Sequence, residues 1–497
     1  MFTILGMNTR NLIALSLLTL CTRAAFAQEA APPATAPSTP RPATTPDPTI
    51  QKITAAISEQ HVHDTIAKLE SFETRNTLST TTQPSRGIGA ARDWIFSQFQ
   101  SYSPRLQVSF DTHTIPRAGR VWRDVELKNV VAMLPGKSEQ ARNRWIIVSG
   151  HYDTVNLRAQ TGRSPAEAAD AIAPGACDDG SGTACVMECA RVLSQYEFDA
   201  TLVFVAFAGE EQGLVGAKAM AKRLKAQNQE IEAVLNNDII GTDASANGAK
   251  AGNHVLVFSE DPNDSPSRQI ARFVHHTALT YFPEMSADMV FRYDRFGRGG
   301  DHTAFNQEGY PAVRITTPAE NFANQHTATD TLANMSVPYT TKVIRINAAS
   351  AAALALAPKA PVTMAPAGAG RGSATTRGAA RGTTADAPAT APDAETASAR
   401  GRGAAGRIGL TRGAGYDAVL RWEYPNPEAD LAGFVVVVRS TIAPDWEKEY
   451  WAGDVRTFTL KDLPIDQVVL GVKAVDKDGH EGPVSAYVNP PRAESAN

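Results

Sequence analysis

The sequence predicts an α/β domain with a mostly parallel, mixed central sheet flanked by helices, followed by a small C-terminal β-sandwich. Three observations carry that expectation. Between residues 49 and 357, apolar strand-like runs alternate with amphipathic helical stretches, the pattern of a sheet covered by helices. Two tracts rich in Pro, Ala, Thr and Gly, 28–48 and 358–412, have no periodic apolar face and read as linkers. Beyond the second, short β-like runs separated by turns replace the helical spacing.

The 497-residue chain is 43% hydrophobic and carries a formal charge of −4, so it can bury a large core and is not a disordered polymer. The near-neutral balance of 48 Lys and Arg against 52 Asp and Glu argues against a partner gripped through its phosphates, and no nucleic acid is expected. Four cysteines in this length cannot form a disulfide framework.

At the N-terminus, Arg10, the apolar Leu12 to Leu20 and the small-x-small Ala25-Phe26-Ala27 read as a signal peptide over 1–27, which implies export to the periplasm or the medium. The apolar stretch is shorter than the ~20 residues that span a bilayer, and none of that length follows, so no transmembrane segment is expected.

Within the body, Ile50 to Phe72 and Ala90 to Tyr102 have helical spacing, while Val125 to Leu134 and Trp145 to Ser149 look like strands. Gly182 to Tyr196 reads as a helix, Ala200 to Ala208 as a buried strand and Leu214 to Ala226 as a helix. Ile231 to Ile240 holds a strand, Pro266 to Thr280 a helix, Pro311 to Thr316 a short strand and Thr340 to Leu356 a closing helix.

Polar residues directly after strands mark the binding edge of such a sheet. Here WIIVSG is followed by His151-Tyr152-Asp153, VFVAFAG by Glu210-Glu211 and AVLNN by Asp238. Asp178-Asp179-Gly180-Ser181-Gly182, Asp301-His302, His326 and Asp330 complete the set. Each alone has an ordinary explanation as a cap or a first-turn acid. Gathered at one edge, so many carboxylates would repel unless divalent cations held them, and mixed imidazole and carboxylate donors suit zinc, with cobalt or manganese as substitutes.

In their order and spacing, HYD, GACDDGSG, FAGEEQGLVG, NNDIIG, GGDHTAF and QHTATDT resemble the M28 family of dinuclear zinc metallopeptidases. The resemblance covers about 49–357 and implies a zinc-peptidase fold, a peptide substrate and two Zn2+ ions. It makes Asp178 the bridging carboxylate, His151 and Asp238 the further ligands of one ion, Glu211 and His326 those of the other, and Glu210 the general base. Asp153, Asp179 and Asp330 are expected to support these ligands, and His302, Gln325 and Arg298 to lie about the substrate pocket. Gln325 departs from the tyrosine that many members carry before the last histidine ligand.

The resemblance implies an aminopeptidase. Arg292, Arg295, Arg298 and Arg314 around GGDH keep a carboxypeptidase or dipeptidase open, because one of them could grip a substrate carboxylate. The runs after Gly413, with Trp422 on an early one, make 413–492 similar to a fibronectin type III domain, which could bind a surface or a polymer. A non-catalytic exported binding or adhesion protein is the rival reading.

Overall fold

In the computed structural model, which describes residues 39–363, 409–413 and 415–488, the alternating runs assemble into one eight-stranded sheet. The expected signal peptide and most of the 358–412 tract lie outside the described residues. The strands are β1 (Gln107–Ile115), β2 (Val125–Leu134), β3 (Arg144–His151), β4 (Thr201–Phe207), β5 (Glu230–Asn237), β6 (His254–Ser259), β7 (Ser286–Val290) and β8 (Ala312–Thr316). Their order is β1-β2-β4-β3-β5-β8-β6-β7. The centre, β4-β3-β5-β8, is parallel, and antiparallel pairings join it to β2 on one side and to β6 on the other.

The helices are α1 (Pro48–Ala55), α2 (Glu59–Glu70), α3 (Gly87–Tyr102), α4 (Pro165–Ala169), α5 (Ser181–Leu193), α6 (Val215–Ala226), α7 (Pro266–Tyr281), α8 (Asp301–Gln307) and α9 (Val337–Leu356). Side chains of a strand alternate between faces, and the core divides accordingly. Ile146, Val148, Leu202, Phe204 and Leu235 pack with α2, α5 and α9, whereas Ile147, Val203, Val205 and Val234 pack with α6 and α8. Burial on both faces explains why β3 and β4 read as unbroken apolar runs.

The structure departs from the sequence expectation in two ways. The helical spacing of Ile50 to Phe72 is split, because the Ser58 hydroxyl accepts the His61 N–H at 3.2 Å and starts a new helix, while its own N–H donates to Glu188 at 2.7 Å. Strands β1, β6 and β7 gave no clear sequence signal. β1 is an outer strand, partly exposed throughout and carrying Asp111, Thr112 and His113, so it lacks the apolar run that marks a central one.

The C-terminal strands are β9 (Gly409–Arg412), β10 (Ala418–Arg421), β11 (Leu431–Ser440), β12 (Lys448–Gly453), β13 (Thr457–Leu460), β14 (Val468–Asp476) and β15 (Ser485–Ala486). They form antiparallel sheets β13-β10-β9 and β12-β11-β14-β15 that share a core of Leu420, Trp422, Phe434, Val436 and Val472. Buried Arg439 donates twice to Asp264, at 2.6 and 2.7 Å, the Arg272 Nε–H donates to the Pro444 carbonyl at 3.0 Å, and the Trp446 indole N–H donates to Gln269 at 3.3 Å. Asp264 lies between β6 and α7, and β6 runs antiparallel to β8. This junction is therefore at the end of the sheet where the parallel strands begin.

Residues 39–47, without helix or strand, run along the C-terminal module: Trp451 donates to the Thr39 carbonyl at 2.7 Å, and His480 bridges Asp476 (2.7 Å) and Asp47 (2.8 Å). Among the described residues, no helix is long and apolar enough to cross a membrane.

Candidate metal centre

The opposite end of the sheet, where the parallel strands finish, collects the acids and histidines. His151 is the last residue of β3, Asp238 directly follows β5, and Glu210-Glu211 stand just past β4. Asp178 comes from the helical turn Ala176–Gly180 that leads into α5, and His326 from the long loop after β8. His151, Glu210 and Asp238 bring donor atoms within 4.8 Å of one another, and Asp178, Glu211 and His326 do the same.

Asp178 stands between the two groups. Its Oδ1 is 3.2 Å from His151 Nε2 and its Oδ2 is 2.9 Å from His326 Nε2. Glu211 Oε1 lies 3.1 Å from the same His326 nitrogen, and Asp238 Oδ1 lies 3.9 Å from His151 Nε2. Adjacent carboxylates thus serve different groups: Glu211 is buried against His326, and Glu210 turns to His151 and Asp238 while keeping partial access to solvent.

Other acids hold the backbone on which these ligands sit. The Asp153 carboxylate accepts the N–H groups of Glu210 and Glu211 at 3.1 and 3.2 Å and the Thr77 hydroxyl at 3.1 Å. Its main-chain carbonyl, at 3.0 Å, takes the His151 Nδ1 side, with Oδ1 further off at 3.6 Å. Asp330 supports Asp178 and not a histidine: its oxygens accept the N–H groups of Cys177 and Asp178 at 3.0 and 2.9 Å. Asp179 accepts from the amides of His151, Gly182 and Ile239 at 3.1, 2.8 and 3.1 Å, and so ties β3, α5 and the chain after β5 together. Gly182 is required there, since a Cβ would meet Asp179 Oδ2 at 2.2 Å and the Asn237 carbonyl at 2.4 Å.

Arg314 proves to be a holder of a ligand. Fully buried on β8, it donates from Nη1 to Asp238 Oδ2 at 2.5 Å and from Nη2 to the Asp238 carbonyl at 3.1 Å. Gly300 leaves room for it, because a Cβ would stand 2.6 Å from that Nη1. Arg295 and Arg298 both close on Glu320, at 2.7 and 2.8 Å, and Arg292 lies over the Phe296 ring. Arg298 borders an adjoining cavity with Phe296 and Phe322.

His302, expected about the pocket, is fully buried and bonds the Tyr293 carbonyl at 2.8 Å; burial lowers its pKa to about 4. Gln325 does reach the centre, donating from Nε2 to Asp178 Oδ2 at 2.9 Å. Arg75 carried no sequence signal of its role, and Asp301 was read only as one of the gathered acids. Arg75, wholly buried, bonds the carbonyls of Tyr152 and Gly175 at 2.7 and 2.8 Å and knits the end of β3 to the turn before Asp178. Asp301, at the start of α8, is buried with neither oxygen hydrogen-bonded, and burial pushes its pKa up to about 8.

Without cations these groups can coexist only by holding protons. Burial drives the Glu210 carboxyl well above its ordinary range, and Glu211 is also raised. Burial opposes charge on His326 as well, yet hydrogen bonds to Asp178 and Glu211 hold its pKa up to about 11. Two imidazole nitrogens and carboxylate oxygens converging in two neighbouring groups, with Asp178 near both histidines, fit divalent metal, and the neutral histidine and ionised acids that a metal needs relieve this crowding. Fold and site together define a metal-dependent hydrolase.

Its relatives narrow that class. Residues 129–351 match the model of peptidase family M28. A probable zinc metalloprotease of Pyrenophora tritici-repentis is 32% identical over 471 residues, covering 88% of this chain and 86% of the relative. Another, from Pyricularia oryzae, is 33% identical over 474 residues, covering 88% of this chain and 84% of the relative. Among solved structures, the Legionella pneumophila LapA aminopeptidase is similar at 22% identity and a TM-score of 0.49, over 64% of this chain and 77% of that one. The chain belongs to peptidase family M28 and is a zinc metallopeptidase.

Proposed function

We propose that this metallopeptidase is an exported aminopeptidase that works with two zinc ions. His151, Asp238 and Asp178 would hold one ion, and Glu211, His326 and Asp178 the other. The ions would supply polarisation of the scissile carbonyl and of water. Glu210, half-buried beside His151 and Asp238, takes the proton of the attacking water on its carboxylate and hands it to the departing amine. Gln325 Nε2, which donates to Asp178 at 2.9 Å, would be one donor at the centre for the developing oxyanion, beside the ions themselves.

The observation that carries the choice of end is the engagement of the arginines around GGDH. Arg314 is spent on Asp238, and Arg295 and Arg298 on Glu320, while Arg292 lies over the Phe296 ring and Glu210 and Asp238 stand together at the centre. An acid-lined region suits the ammonium of a free amino terminus. Aminoacyl-nitroanilides compared with N-acetylated peptides test this: cleavage of the N-acetylated peptides alone overturns it.

The leader over 1–27 supports export, and detection of the mature protein starting near Gln28 outside the cytoplasm is its test. Seven antiparallel strands in sheets of three and four support a fibronectin type III-like module.

A further inference from the structure

A further cavity reaches the centre at Glu211. It encloses about 410 Å3 and is lined by the metal-binding Glu211 together with Trp122, Leu157, Arg120 and Arg163. It shares no lining residue with the cavity beside Arg298. The Leu157 N–H donates to the His326 carbonyl at 3.0 Å, so one wall is tied to a ligand. Arg120, at the tip of the β1–β2 connection, donates from Nη1 to the main-chain carbonyl of Glu211 at 3.0 Å, so its guanidinium is held beside the other.

The charge of this cavity is unbalanced. Apart from Glu211, which would be a metal ligand, no carboxylate lines it, and among the described residues neither Arg120 nor Arg163 is ion-paired. Glu167 makes no salt bridge with Arg163; its carboxylate accepts the N–H and hydroxyl of Ser164 at 2.8 and 2.7 Å in the cap of α4. The arginines of the cavity on the far side face Glu320 and Asp294 instead, which balance them. Two guanidinium groups without a salt bridge among the described residues attract a carboxylate, and Trp122 and Glu211 line the same cavity.

We infer that Arg120 and Arg163 form a subsite for a carboxylate on the residue that follows the scissile bond. The direction of the peptide rests on the aminopeptidase reading: with the amino terminus beside Asp238 and Glu210, the next residue lies toward Glu211 and this cavity. The carboxylate is either the α-carboxylate of a dipeptide or an acidic side chain in a longer peptide, and both present the same fork to the two arginines.

The full mature, zinc-replete protein is assayed on four peptides, Leu-Gly and its C-terminal amide, and Leu-Glu-amide and Leu-Gln-amide, each with a free and an N-acetylated amino terminus. The subsite requires kcat/KM at least ~10-fold higher for a carboxylate than for its amide partner in one pair, mostly through KM, the size of one charge-assisted contact. Preference within the glycine pair identifies the α-carboxylate, and preference within the Glu/Gln pair the side chain. In Arg163→Gln, an exposed loop substitution, and in Arg120→Gln, the ratio should fall to within about twofold of one. Equal rates for carboxylate and amide in the wild-type protein, or an unchanged ratio in both variants, overturn the subsite. Cleavage confined to the N-acetylated series overturns the aminopeptidase reading while the carboxylate ratio still decides the subsite, and no cleavage in either series overturns both.

Discussion

Arg314 Nη1 stands 2.5 Å from Asp238 Oδ2, and Nη2 of the same buried guanidinium bonds the Asp238 carbonyl, so one side chain fixes a ligand at both ends. Lysine cannot reproduce that planar two-point grip. Arg314→Lys should lower zinc affinity by ~10–100-fold, the usual cost of losing a partner behind a ligand. Competition with a chromogenic chelator reads this directly, and wild-type affinity would show that Asp238 needs no holder.

Glu210→Gln keeps the volume and removes the base. It should bind zinc in the wild-type amount while turnover falls by ~10²–10⁴-fold, the range for a general acid–base group. Zinc content by emission spectroscopy beside kcat separates this from loss of metal, and a variant that retains near wild-type kcat assigns proton transfer elsewhere.

Removing zinc should destabilise the body, because buried Asp178 lies within 4.8 Å of Glu211, and buried Asp238 within 4.8 Å of Glu210. Folding and ligation are linked, and zinc at about a thousandfold over its dissociation constant contributes ~4 kcal/mol. Chelation should lower the melting temperature by several degrees, with zinc restoring it. Superimposable melting curves for the zinc-loaded and zinc-stripped protein contradict the proposed cage.

His480 offers a test away from the centre. Burial opposes its charge, but hydrogen bonds to Asp476 and Asp47 prevail and raise its pKa from 6.5 to about 9. A folded-state value above the unfolded one contributes stability that is complete below pH 6.5 and is lost as pH rises through about 9. Thermal unfolding from pH 6 to 9.5 should show that decline, and His480→Gln should remove its share of the slope. Parallel pH profiles for the two proteins count against the clamp.

Much of this site is legible in the amino-acid sequence, because strand ends are written there as apolar runs that stop at a polar residue. His151, Glu210-Glu211 and Asp238 follow such runs, and the structure brings them together with Asp178 and His326. Partnerships across the sheet are not legible in this way. Nothing near Arg314 announces Asp238, 76 residues earlier, and Asp330 meets the amide of Asp178 across 152 residues. Neither Arg120 nor Arg163 has a neighbour in sequence that marks it. Strands β1, β6 and β7 are silent for a different reason: they lie in the outer part of the sheet, where alternation is diluted by polar side chains or too short to register.

The docking of the C-terminal module at the end of the sheet where the parallel strands start, through Arg439 and Asp264, decides how the enzyme is presented. Anything the module bound would lie behind the catalytic body, at the end of the sheet away from His151, Asp178 and Asp238. A protein held by its module would work like a tool held by the handle: attachment and peptide entry would use opposite ends and not compete for space.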